Sequence, residues 1–206
     1  MKIIGVNGSP RADGNTFLTI SAFFDVIQEE GGIETELLHG GVGDVPGCIC
    51  CRKCEGSGAC AVHDEKFEEM SAKMLSADGV FLAAPVYFGT MPGQIKAFLD
   101  RFFFQCLQTG RMRHKVGASA AILRRTGGYT TIDDLNRFFF ANEMITVGHC
   151  IIHGNFTGEV LKDNEGLSYV RRLARNMAWV LKMKEATKAD ITPPPYEKRQ
   201  HMNFIR

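Results

Sequence analysis

The chain has 206 residues, 45% hydrophobic and 23% charged, with a net charge of +1. That is the make-up of a globular α/β chain with a full core, and its near-neutral charge gives no electrostatic case for nucleic acid or an anionic membrane. No apolar run is long enough to span a bilayer, and Met1-Lys2-Ile3-Ile4-Gly5-Val6-Asn7 turns polar too soon for a signal peptide, so a cytoplasmic protein is expected.

Residues 2–7 read as a buried first strand, and residues 15–30 as a helix with Phe17, Ile20, Phe23, Phe24 and Ile27 at helical spacing, stopped by Gly31-Gly32. A second strand is expected at 33–38, then a Gly- and Cys-rich stretch over 39–63 with little periodicity. Long loops of this kind inside a compact domain are usually functional. Residues 64–76 form a helix capped by Asp64, and 79–84 a continuously apolar third strand, the pattern of a strand covered on both faces. A helix at 93–105, a strand at 115–123, a helix at 131–141, a strand at 145–152 and a last helix at 166–184 complete the run. Residues 1–184 are read as one domain. Residues 185–206 are read as a C-terminal tail with Pro193-Pro194-Pro195 and an apolar end, Phe204-Ile205, either solvated or packed on a neighbouring subunit.

This alternation implies a doubly wound five-stranded parallel sheet in the order 2-1-3-4-5, with the Cys-rich insertion after strand 2. The ligand crevice of such a sheet lies at the carboxyl ends of strands 1, 3 and 4. Three distinctive loops leave those ends. Gly8-Ser9-Pro10-Arg11 and Gly14-Asn15-Thr16 combine turn glycines, short donors and a helix start, which suits a phosphate. No Gly-Lys-Ser/Thr and no G-x-G-x-x-G is present, so a monophosphate such as FMN fits better than a nucleoside triphosphate. Pro85-Val86-Tyr87-Phe88-Gly89 offers aromatics and backbone donors for a flat ring; core packing of Tyr87 and Phe88 is the competing reading. Arg124-Arg125-Thr126-Gly127-Gly128 converges on the same crevice. Lys96, Asp100 and Arg101 read as surface or helix-pair contacts.

The chain holds seven cysteines, five of them in one segment, and Cys48, Cys51, Cys54 and Cys60 follow C-x2-C-x2-C-x5-C. An odd number crowded into one loop argues against a disulfide scaffold and for metal or redox chemistry. Short thiolate spacing suits an iron–sulfur cluster. Zinc sites more often pair two knuckles across a longer gap, and unligated thiols are the third possibility. Cys106 and Cys150 read as buried, inert thiols. His63, His149 and His153 read as surface or core histidines. Phe102-Phe103-Phe104 and Phe138-Phe139-Phe140 read as core, oligomer interface or cofactor wall. No Ser/His/Asp set or acid pair points to hydrolysis.

The stretches GSPRADGNT and APVYFGTMPGQIKAFLDR, with the cysteine string, resemble the NADPH-dependent FMN reductase-like flavoproteins of flavodoxin-like fold, over roughly residues 1–130. Within that group the cysteine spacing is similar to that of the iron–sulfur flavoproteins, which carry FMN and a [4Fe–4S] cluster. The resemblance implies that Ser9, Arg11, Asn15 and Thr16 hold the FMN phosphate. It implies that Pro85, Val86, Tyr87, Phe88 and Gly89 line the isoalloxazine, with Thr126, Gly127 and Gly128 closing the other side. It also implies a homodimer or homotetramer with Cys48, Cys51, Cys54 and Cys60 as cluster ligands. Position 50 departs from the family pattern, with Cys where a small residue such as Gly is usual.

The expected function is therefore FMN-dependent electron transfer between NAD(P)H or a ferredoxin and a small-molecule acceptor such as a quinone or flavin, without need for an acid–base residue. A carrier or redox sensor with no turnover, and a plain NAD(P)H:FMN reductase without a cluster, are the alternatives.

Overall fold

The structure is a computed structural model and describes residues 1–41 and 43–197. Its strands are β1 (Lys2–Asn7), β2 (Glu34–His39), β3 (Gly79–Pro85), β4 (Val116–Leu123) and β5 (Ile145–His153). They form one sheet in the order β2-β1-β3-β4-β5, and every pairing is parallel. The helices are α1 (Asn15–Glu30), the short α2 (Cys54–Ser57), α3 (Glu65–Ser76), α4 (Gly93–Leu107), α5 (Gly128–Ala141) and α6 (Asn164–Thr187), with a 3₁₀ turn at Glu159–Lys162. The strands and the five longer helices follow the expected order; α2, inside the stretch read as loop, and the 3₁₀ turn are additional.

The alternation of side chains along β1 builds two cores. Ile3 packs with Phe23, Phe81, Ile152, Val170 and Met177 under α1 and α6. Ile4 and Val6 pack with Phe67, Leu82, Phe98, Phe102 and Phe139 under α3, α4 and α5. Phe23 stacks on Phe81 with ring centroids 4.2 Å apart, and each such fully buried ring stabilises the fold by about 1.5–3 kcal/mol. β4 is buried at every position and rich in small residues. A Cβ on Gly117 would lie 3.0 Å from the Phe139 ring, so glycine there lets α5 sit close to the sheet. Phe102, Phe103 and Phe139 are core residues, while Phe140 is exposed.

Asp64 caps α3 as expected, accepting from the Phe67 N–H at 3.1 Å. Beyond α6, residues 189–197 are exposed, but Tyr196 returns to the body of the chain. Its ring faces the Arg113 guanidinium at 5.4 Å and its hydroxyl donates to the Gln108 carbonyl at 3.4 Å. The expected apolar end, Phe204-Ile205, lies outside the described residues. Among the described residues no helix is long and apolar enough to cross a membrane.

Candidate functional site

The loop after β1 is organised by Asn7, a fully buried polar residue at the end of an apolar strand. Its Oδ1 accepts from the Ser9 N–H at 3.0 Å, and its Nδ2 donates to the carbonyls of Arg11 at 3.2 Å and Ala12 at 3.4 Å. The Ser9 hydroxyl accepts from the Arg11 N–H at 3.1 Å. Gly8 donates to the Ala83 carbonyl of β3 at 2.8 Å, and a Cβ on Gly8 would stand 2.9 Å from that oxygen, so only glycine allows the approach. α1 then starts at Asn15 with no side-chain cap and no acidic residue in its first turn. Its amino end thus keeps its partial positive charge for an incoming anion.

Ser9 and Thr16 are buried here, and Arg11 is exposed. The side chain of Asn15 turns elsewhere. Its Nδ2 donates to the Phe156 carbonyl at 3.0 Å and its Oδ1 accepts from the Gly158 N–H at 2.8 Å. It ties the loop after β5 to the start of α1.

The loop after β3 first extends the sheet, with Val86 donating to the Ile122 carbonyl at 2.9 Å. Tyr87 and Thr90 then exchange backbone hydrogen bonds at 2.8 and 3.3 Å. Phe88 at φ 50° and Gly89 at φ 93° occupy the two central positions of this tight turn. Phe88 is fully exposed, at 110% of its reference area, and Tyr87 is 42% exposed. Phe88 therefore does not pack in the core. The Thr90 hydroxyl donates to the Asp134 carboxylate of α5. Gly127, at φ 86°, carries the loop after β4 against this turn; a Cβ there would lie 2.7 Å from Val86 Cγ1 and 2.8 Å from Gly89 Cα. The structure thus packs the second and third loops directly on each other and hydrogen-bonds the first to β3.

A cavity of about 640 Å³ opens beside Thr126, Gly127 and Gly128 on the β5 side, bounded further by Tyr129, His149 and Tyr169. That lies within the usual range for small-molecule sites, roughly 300–1,000 Å³. None of the β1-loop residues lines it. At its rim Asp163 caps α6. Burial favours its neutral form, but hydrogen bonds from the Gly166 and His153 N–H groups and from the His153 ring outweigh burial and hold the carboxyl below its ordinary value.

The cysteine segment leaves β2 through Gly40 and Gly41. Gly41 donates to the Asn7 carbonyl at 3.0 Å, and a Cβ on it would stand 2.5 Å from Gly8 O and Ser9 O. Cys48, Cys51, Cys54 and Cys60 then line one small cleft, together with Arg52, Arg101, Phe104 and Gln105. Cys50 is not part of that lining; it is exposed and adopts φ 52°. Burial raises the Cys54 thiol above its ordinary pKa, and the neighbouring Cys60, Cys48 and Cys51 add to the rise.

The cleft holds only about 20 Å³ of free volume, and among the described residues no three His, Cys, Asp or Glu side chains stand ready to hold a metal ion. The donor set nonetheless fits a thiolate-bound centre in its chemistry, because four cysteines line one cleft with Arg101, whose buried Nε has no partner. The cleft must widen to admit one.

Lys96 and Asp100 form the expected exposed ion pair, at 2.7 Å. Arg101 does not make a surface contact. It is 2% exposed, and it clamps both flanks of the cysteine loop. Nη1 donates to the Pro46 carbonyl at 3.2 Å and to Asp64 at 3.0 Å, and Nη2 donates to the Val62 carbonyl at 2.7 Å. Gln105 accepts from the Cys60 N–H at 3.0 Å, and Arg111 donates to the Gly58 carbonyl at 3.1 Å. Asn7, Arg101 and Gln105 escape a sequence reading; the available signal was a polar residue ending an apolar strand and polar residues inside the apolar run of α4.

Cys106 and Cys150 are buried, and burial pushes both thiols up to about 12. His63 lies on the surface beside Glu68, at 3.4 Å.

The family model described as NADPH-dependent FMN reductase matches residues 1–158. An iron–sulfur flavoprotein of Methanocaldococcus jannaschii is 38% identical over 194 residues, covering 89% of this chain and 98% of its own. An iron–sulfur flavoprotein of Methanosarcina thermophila is 32% identical, covering 89% and 96%. Among solved structures, RosB with bound 8-demethyl-8-formylriboflavin-5'-phosphate superposes with a TM-score of 0.75 over 100% of this chain and 98% of its own, at 14% identity, which speaks for the fold alone. A parallel sheet of this order and a match over most of the length together place the chain in the NADPH-dependent FMN reductase family of oxidoreductases, in its iron–sulfur flavoprotein branch.

Proposed function

We propose that this oxidoreductase binds FMN in the crevice formed by the loops after β1, β3 and β4. We further propose that it holds a [4Fe–4S] cluster on Cys48, Cys51, Cys54 and Cys60. It moves electrons between NAD(P)H or a ferredoxin and a small acceptor such as a quinone or flavin. The observation that carries this is the uncapped amino end of α1 behind the Asn7-braced Ser9 loop. A dianionic phosphate is the group such a backbone cradle suits best.

Ser9, Arg11 and Thr16 and the first N–H groups of α1 hold the phosphate; the Asn15 side chain steadies the loop after β5 beside it. Pro85 to Gly89 cover one side of the flavin ring, with Tyr87 and Phe88 as its aromatic surface. Thr126, Gly127 and Gly128 close the other side. When bound, FMN supplies hydride acceptance and electron release, and a cluster supplies one-electron transfer. The chain's own part is to orient these groups and set their potentials. Exposed Phe88 on the loop after β3, with exposed Tyr129 and Tyr169 beside the β5-side cavity, suits a homodimer or homotetramer. The iron–sulfur part draws support from the four cysteines that line one cleft and from the relatives' names.

Replacing Ser9 with Ala together with Asn15 with Ala should lower FMN affinity; unchanged flavin retention after dialysis would sink the cradle. Steady NAD(P)H oxidation with a quinone supports an enzyme, whereas reduction only by ferredoxin would reassign the chain as a carrier.

A further inference from the structure

Arg101 keeps one guanidinium nitrogen that no group of the chain engages. Its side chain is fully buried. Both terminal nitrogens are engaged, by Pro46, Asp64 and Val62, and its guanidinium carbon lies 3.8 Å from the centroid of the Phe67 ring. The Nε–H is buried with no partner. An unpaired buried donor costs about 1–3 kcal/mol, more on a charged group, so native interiors seldom keep one without use. Arg101 also lines the cleft that Cys48, Cys51, Cys54 and Cys60 line.

We propose that Arg101 Nε–H donates a hydrogen bond to sulfur of the centre held by Cys48, Cys51, Cys54 and Cys60, making Arg101 a positioning residue that raises the centre's reduction potential. The inference rests on the reading that this loop carries an iron–sulfur cluster. Four thiolates make such a centre anionic, and reduction adds a further negative charge. A donor on a fixed cation stabilises the reduced form more than the oxidised one, and hydrogen bonds to sulfur are a recognised lever on these potentials. Arginine is required because one planar fork must bond Asp64 and two carbonyls while leaving Nε free. Lysine keeps the charge and cannot do both.

The test compares full-length wild type, Arg101→Lys and Asp64→Asn, all purified without oxygen. Iron, acid-labile sulfide and flavin are assayed, and the potential is read by EPR-monitored titration. Arg101→Lys with wild-type iron content should be harder to reduce by about tenfold in the one-electron equilibrium, or about 59 mV. Asp64→Asn breaks the same latch, keeps the Nε–H and still caps α3; its potential should hold or rise. Equal potentials in wild type and Arg101→Lys would overturn the inference, as would an equal fall in Asp64→Asn, which would assign the effect to loop position. If Arg101→Lys loses its iron, pulsed EPR on reduced Arg52→Lys protein labelled with ¹⁵Nε-arginine decides. A nitrogen coupling to the centre supports the bond, and none overturns it. Wild type that retains flavin but lacks iron and sulfide would instead refute the cluster reading itself.

Discussion

Phe88 carries an exposed aromatic ring on a backbone that favours glycine, and replacing it with Gly should move stability and flavin affinity in opposite directions. The ring is 110% exposed, so its removal forfeits no buried surface in the flavin-free protein. At φ 50° an L-residue carries a left-handed cost of about 1–2 kcal/mol. Glycine relieves that cost but loses about 0.5–1 kcal/mol through its freer unfolded chain. The net gain is about 0–1.5 kcal/mol. For a chain of this size, 1 kcal/mol moves Tm by roughly 2–4 °C, so flavin-free Phe88→Gly should melt up to roughly 6 °C above wild type and never below it. A lost aromatic contact of about 0.5–1.5 kcal/mol should weaken FMN binding roughly two- to tenfold. Thermal unfolding of the flavin-free proteins and titration of FMN fluorescence measure the two effects. A lower Tm would refute the strain argument, and an unchanged Kd would remove Phe88 from the flavin wall. Strain retained at an exposed site is expected where a ligand uses it.

The remaining predictions address the other loops. Gly41→Ala puts a methyl group 2.5 Å from the backbone of Gly8 and Ser9; it should destabilise the fold by about 1–3 kcal/mol and weaken FMN binding, as checked by urea unfolding and dialysis. Cys50→Ser should keep wild-type iron content and Cys48→Ser should lose it. In the loaded protein Cys50 should be the one thiol of the loop that alkylates readily, with Cys106 and Cys150 reacting only in denaturant, as read by mass spectrometry. Asp163 has a folded pKa below its ordinary value. Its contribution is therefore complete above the unfolded carboxylate value of about 3.9 and is lost as pH falls through the lower folded value. Asp163→Asn, which keeps the cap but cannot ionise, should flatten the acid side of the stability curve. Asp163→Ala should cost about 0.5–2 kcal/mol at neutral pH, measured by urea unfolding across a pH series.

The sheet was legible because β1 and β3 are apolar on both faces and the intervening helices repeat at helical spacing. The start of α5 was read three residues late, at 131 rather than Gly128. Gly127 and Gly128 resemble loop, but the left-handed Gly127 begins the helix and its neighbour fits under Ile151. The short α2 lies within the cysteine string, where no apolar period marks a helix, and its turn is stopped by left-handed Gly58. Of the two readings of Arg101, a surface or a helix-pair contact, the structure shows the second, against Asp64, which caps α3, and Phe67 of α3. One residue after Asp100, it shares the surface sequence pattern of the Lys96–Asp100 pair, and only the fold of residues 46–64 over α4 converts it into a buried clamp. Asn15 shows how far a local motif can be read. Its place at a helix start was evident, but its bonds to Phe156 and Gly158 depend on chain more than a hundred residues away.

The contact of Gly41 with Gly8 and Ser9 makes the root of the cysteine segment and the phosphate loop one mechanical unit. An anion that stiffens the Ser9 loop also restricts how the cysteine segment leaves β2. On the proposed reading, in which that segment holds a metal centre, linkage makes the effect mutual: whatever factor flavin adds to metal retention, metal must add to flavin retention. A preparation stripped of one group would then shed the other more readily, and flavin and iron contents measured across many batches would rise and fall together.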